Sequence, residues 1–152
     1  VMTSRRSIHI DGLSHLMAIP VATRVGPLVT SSVIASFDPG TRNVPKTIDA
    51  QIANIFRHVG AMLEAAGADW RHVAKMEFWM PNPASGRGAL EKPWIEKFPD
   101  AASRPARHTH AGDGPAVSAS FKNLDRISPR NASSGGSSLT ATGRFSRRSF
   151  AL

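Results

Sequence analysis

The stretch from Thr47 to Met80 constrains this chain most, because its apolar spacing switches from helical to extended across one short connection. Ile48, Ile52, Ile55, Phe56, Val59, Met62, Leu63 and Ala66 fall at i, i+4, i+7, i+8, i+11, i+14, i+15 and i+18, which gathers them into one stripe on an α-helix. Thr47 is placed to cap the start, Asp49 complements the helix dipole there, and Gly67 falls where a C′ glycine belongs. After Gly67 the period drops to two. Ala74, Met76, Phe78 and Met80 alternate with Lys75 and Glu77, which predicts a strand with one face on the helix and one face partly polar.

Weaker signals fill in the remaining elements. Asn82-Pro83 and Ser85-Gly86 predict a loop, and Ala89–Phe98 a short second helix whose regular part begins only at Pro93. Strands are expected at Ala106–Ala111 and Ala116–Phe121, with short ones upstream at Ser7–Ile10 and Leu28–Ile34, separated by Pro20, Gly26 and Pro27. The order β-β-α-β-α-β-β predicts an α+β domain with its helices on one side of a sheet. The other sheet face is bare in a single copy, so an oligomer that buries it is expected.

The formal net charge of +8 invites a nucleic-acid reading, but the charge is unevenly placed. Residues 1–121 carry 13 basic and 10 acidic side chains, whereas residues 122–152 carry six basic ones against Asp125 alone. That last stretch is rich in Ser, Gly and Arg without apolar periodicity, and it reads as a low-complexity, disordered tail behind a domain spanning 1–121. Either a genuine tail or a reading-frame change near the end of the gene would produce it. The paired Ser-Arg-Arg-Ser motifs at 4–7 and 146–149 are assigned no role.

With no cysteine and no tyrosine, disulfides, thiolate metal sites, cysteine nucleophiles and phenol chemistry are excluded. No window approaches the roughly 18 apolar residues of a membrane span. The apolar run Leu13 to Ala22 is broken by His15 and Pro20 and does not match a signal peptide, so a cytoplasmic location is expected. G-x-S-x-G, Walker A and G-x-G-x-x-G patterns are absent. His108 and His110 share one face of their strand, but only Asp113 stands near as a third ligand, and neither metal nor cofactor is expected. In Arg104-Pro105-Ala106-Arg107, the proline stiffens the strand entry and Arg107 offers a planar fork suited to a carboxylate or phosphate.

The residues Ile19-Pro20, Ser32-x-Ile34 and Asp38-Pro39-x-Thr41, then LEAAGADW, VAKMEFW and FPD…SRPARHT, resemble the reactive-intermediate deaminase (RidA/YjgF) family over about residues 7–121. The resemblance implies a chorismate-mutase-like fold with an antiparallel-rich mixed sheet. It also implies a homotrimeric barrel with ligand clefts between subunits. The implied reaction is the hydrolysis of enamines and imines, such as 2-iminobutanoate and 2-iminopropanoate, to 2-keto acids and ammonia without metal or cofactor. Carried onto this chain, Arg107 grips the substrate carboxylate, Thr109 lines the cleft through its backbone, and Ser32 sits beside the substrate.

Departures from the family pattern bear on activity. Ser120 aligns with a glutamate that holds the attacking water, Glu91 with an asparagine of the second helix, and Ile19 or Pro20 with a tyrosine. A serine hydroxyl orients water but is no base near neutral pH. The alternative implied is therefore a trimer that binds small carboxylates without turning them over. Some family members are described as ribonucleases; here the domain charge is small and lacks an aromatic-interleaved basic stripe, so nucleic acid is expected to bind only weakly, through the tail.

Overall fold

A computed structural model describes residues 4–114 and 116–124. Among the described residues, seven strands form one mixed sheet: β1 (Arg5–Ile8), β2 (Ala22–Val25), β3 (Leu28–Ser31), β4 (Ile34–Ala35), β5 (Val73–Met80), β6 (Ala106–Ala111) and β7 (Ser118–Leu124). Their spatial order is β1-β2-β3-β7-β5-β6, with β4 also pairing with β7. The β5–β6 pair is parallel and the others are antiparallel. Helices α1 (Ile48–Ala66) and α2 (Pro83–Lys97) cover one face. Phe78 of β5 touches both, stacking near Phe56 of α1 and meeting the Trp94 ring of α2 edge-on. The α+β arrangement expected from the sequence is the one observed.

Helix α1 forms as its sequence dictates. The Thr47 side chain accepts from the Ala50 N–H at 3.3 Å, and Gly67 ends the helix at φ 68° with its N–H on the Leu63 and Glu64 carbonyls. Its last turn holds no basic residue; instead Arg24 Nη1 and Arg6 Nη2 reach over from the sheet to the Ala66 carbonyl, at 2.7 and 3.1 Å. The stripe from Ile52 to Ala66 is buried against Val29, Ile34, Met76, Phe78 and Phe121. Each side chain of this size contributes about 1.5–3 kcal/mol on full burial. Gln51, also buried, donates to the Pro45 carbonyl and accepts from the Val117 N–H, both at 2.8 Å, which ties the entry of β7 to α1.

The structure differs from the sequence expectations at several boundaries. Asn82-Pro83 is a helix start, with the Asn82 side chain accepting from the Ala84 and Ser85 N–H groups and Pro83 in the first turn. Helix α2 therefore begins six residues ahead of Ala89 and runs through Pro93. A side chain at Gly86 would collide with the Met80 sulfur, which explains a glycine inside this helix. Leu28–Ile34 is divided into β3 and β4, β1 begins earlier than Ser7, and β2 is an additional strand inside a stretch read as loop.

A bulge between Val73 and Lys75 in the β5–β7 pairing turns Val73 inward and leaves Ala74 exposed, against the simple alternation. At the end of the chain, β7 continues past Phe121 to Leu124 because Lys122, Asn123 and Leu124 pair with Thr30, Val29 and Leu28. The expected tail of 122–152 thus gives up its first three residues to β7, and residues 125–152 lie outside the described residues.

Candidate functional site

Register decides which side chains can work together, since directly paired residues share a face of the sheet. Arg107 pairs with Met76, and Thr109 with Phe78, both of which are fully buried under the helices. Arg107 therefore projects toward α2, beneath β6, an edge strand of the sheet. His108, Glu77 and Ser120 form a row on the opposite, uncovered face. Within one copy, Arg107 and Ser120 point to opposite sides.

On the helix side, the Arg107 guanidinium lies over the Trp94 ring, its central carbon 5.0 Å from the ring centroid. Its Nη2 donates to Glu91 Oε2 at 3.2 Å. Its Nη1 is buried and finds no hydrogen-bond partner among the described residues. The Arg107 side chain is 23% exposed and that of Glu91 59%, so a cation held on one side by an internal carboxylate still has an unmet donor. Glu91 and Arg107 are brought together, as members of one site should be. Trp94, which sequence reasoning passed over as an ordinary helix residue, supplies the platform.

Ser32 lies elsewhere. Its hydroxyl donates to the Pro20 carbonyl at 2.7 Å and its N–H to the Val21 carbonyl, so in one copy it fastens the loop entering β2 to the β3–β4 connection. The neighbouring Ser31 hydroxyl accepts from the Phe121 N–H at 2.9 Å. The Asp38–Thr41 turn is held by Thr41 Oγ1 donating to the Asp38 carbonyl, and Asn54 of α1 anchors it by donating to Asp38 Oδ1 at 2.9 Å.

The uncovered face carries charge as well as apolar surface. Glu77 Oε1 accepts from Lys75 Nζ at 2.9 Å and faces His110 Nε2 at 3.4 Å. The Lys75 hydrogen bond, with a smaller contribution from His110, holds the Glu77 carboxyl below the usual carboxylate range. The exposed apolar residues of this face are Val25, Leu28 and Leu124, paired across β2, β3 and β7, while Leu16 and Met17, 84% and 75% exposed, lie with Ile19 and Val33 in loops.

Among the described residues, no helix is long and apolar enough to cross a membrane. The fold and site together define a class: a two-layer α+β protein with an arginine half-buried under a sheet edge. Several solved structures share the fold. RidA from the Antarctic bacterium Psychrobacter sp. superposes with a TM-score of 0.69 at 22% identity, covering 78% of this chain and 98% of that one. A Rid-family protein of unknown function from Yersinia pestis gives 0.71 at 16% identity over 80% and 99%. A probable translation initiation inhibitor from Rhodopseudomonas palustris gives 0.72 at 17% identity over 80% and 98%. No family profile matches the sequence, and no curated protein matches it either. The fold is that of the Rid/YjgF structures.

Proposed function

We propose that this protein hydrolyses small imines or enamines of the 2-iminopropanoate and 2-iminobutanoate type in the cytosol. Water adds to the imine carbon, the C–N bond breaks, and a 2-keto acid and ammonia leave. The observation that carries the reading is the Arg107 guanidinium, stacked on Trp94 with one nitrogen buried and unpartnered among the described residues. A substrate carboxylate is the group such a donor lacks, and each charge-assisted hydrogen bond to it contributes about 1.5–3 kcal/mol. Thr109, two residues along β6, faces the same side of the sheet.

The arrangement further supports a homotrimer with clefts between copies. Arg107 and Ser120 can serve one site only if different copies supply them, because they face opposite sides of one sheet. The open β6 edge and the exposed Leu16, Met17, Ile19 and Val33 offer surface for such contacts. The test is ammonia release from 2-iminopropanoate generated in situ: acceleration by the wild type and its loss in Arg107→Ala support the reading, and no acceleration refutes it.

Ser120 favours a second reading, a binder of small carboxylates without turnover, since its hydroxyl supplies no base. A rise in thermal midpoint with 2-ketobutanoate, in a protein that leaves imine hydrolysis unchanged, would select it.

A further inference from the structure

We propose that Glu77, His108 and His110 form a binding site for a divalent transition-metal ion of borderline softness, with Zn(II) as the type, on the sheet face opposite the Arg107 cleft. The site requires no carboxylate bound at Arg107, although its Glu77 pairs with Ser120 in the row that the proposed trimer turns toward another copy.

The register builds it. On β6, His108 and His110 are separated by one residue and project to the same side; on the parallel neighbour β5, Glu77 pairs directly with His108, and Trp79 with His110. One ligand atom from each of Glu77, His108 and His110 falls within 4.8 Å of the others. The two imidazoles stack with centroids 4.1 Å apart, and Trp79 stacks on the outer side of His110 at 5.1 Å, so the rings are held as a packet. The third ligand is the β5 glutamate rather than Asp113, the candidate that adjacency in sequence suggested.

One ligand-to-ligand distance already matches a metal site. His110 Nε2 and Glu77 Oε1 are 3.4 Å apart, longer than the usual range for a hydrogen bond of this kind. Ligands at about 2.0–2.2 Å from a tetrahedral ion are about 3.3–3.6 Å from one another, the edge of that tetrahedron. Two imidazole nitrogens and one carboxylate oxygen match the three-ligand set that leaves a coordination position for water. Imidazole selects zinc, copper, nickel and cobalt over magnesium and calcium, which prefer oxygen cages. Lys75 Nζ, 2.9 Å from Glu77 Oε1, is the resident cation that a metal would displace.

The experiment is titration of the untagged, chelator-stripped full chain with Co(II), followed by its visible ligand-field absorption, and with Zn(II) in competition. The expected result is one ion per chain, at least tenfold weaker binding in His110→Ala and in Glu77→Gln, and tighter binding in Lys75→Met. Circular dichroism confirms that each variant is folded; should one not be, His108→Gln replaces it. Saturation at any other ratio, or binding that survives the double substitution His108→Ala/His110→Ala, overturns the proposal.

Discussion

Arg107 gives one nitrogen to Glu91, at 3.2 Å, and leaves the other buried without a partner among the described residues. The chain thus supplies half of the carboxylate that its own anion site accepts. Because Glu91 is largely exposed, this ion pair adds little to stability, within the roughly 0–1 kcal/mol typical of surface pairs, yet it competes directly with any incoming anion.

Replacing Glu91 by Gln should therefore strengthen 2-ketobutanoate binding severalfold, by roughly 1 kcal/mol or less, while moving the thermal midpoint hardly at all. Isothermal titration calorimetry reads the affinity. Weaker binding would show that Glu91 orients the guanidinium instead of competing for it.

Asn123 is fully buried between Val29 and Val73, and neither polar atom of its side chain has a partner among the described residues. Leaving an amide unsatisfied costs about 1–3 kcal/mol, and an apolar residue of similar volume removes that cost. Asn123→Leu should stabilise the fold by that amount in urea denaturation. A destabilised variant would mean that the amide has a partner in solution.

Gly67 closes α1 in the left-handed region at φ 68°, a conformation that costs an L side chain about 1–2 kcal/mol. Gly67→Ala should lower stability by roughly that much without altering the far-ultraviolet spectrum of the folded state. No loss would show that the helix end can rearrange freely.

Glu77 should titrate below the ordinary 4.5 of a glutamate, held down first by the Lys75 hydrogen bond and then by His110. Because its folded value is lowered, its contribution to stability is present above the unfolded carboxylate range and is lost as pH falls through the folded value. Carbon-detected NMR of the side-chain carboxyl should show the midpoint rising in Lys75→Met. An unmoved midpoint would remove Lys75 as the cause.

Much of this architecture is legible in the chain because local chemistry and packing agree there. The α1 stripe, its Thr47 and Gly67 caps and the β5 alternation each follow from spacing alone. Arg104-Pro105-Ala106-Arg107 marks Arg107 as a candidate anion site, and the fold places that guanidinium over Trp94. The failures have equally local reasons. Asn82-Pro83 reads as a turn, yet the same pair is a cap and a first-turn proline, and the dipeptide alone does not distinguish the two. The Val73–Lys75 bulge inverts a face, which no period reveals. Glu77 joins His110 from 33 positions away, a meeting produced by the parallel β5–β6 register, so adjacency pointed to Asp113 instead. Trp94 beneath Arg107 and Gln51 bridging Pro45 to Val117 are likewise tertiary facts.

The central claim, that Arg107 holds the substrate carboxylate, is tested most directly by changing both partners of that contact. Hydrolysis of 2-iminopropanoate and of its uncharged carboxamide is compared in the wild type and in Arg107→Ala. Two charge-assisted hydrogen bonds at the low end of their range, about 3 kcal/mol together, correspond to roughly a hundredfold preference in kcat/KM for the acid. The account predicts that preference in the wild type and near-equal rates in the variant; an acid preference that survives in Arg107→Ala would contradict it.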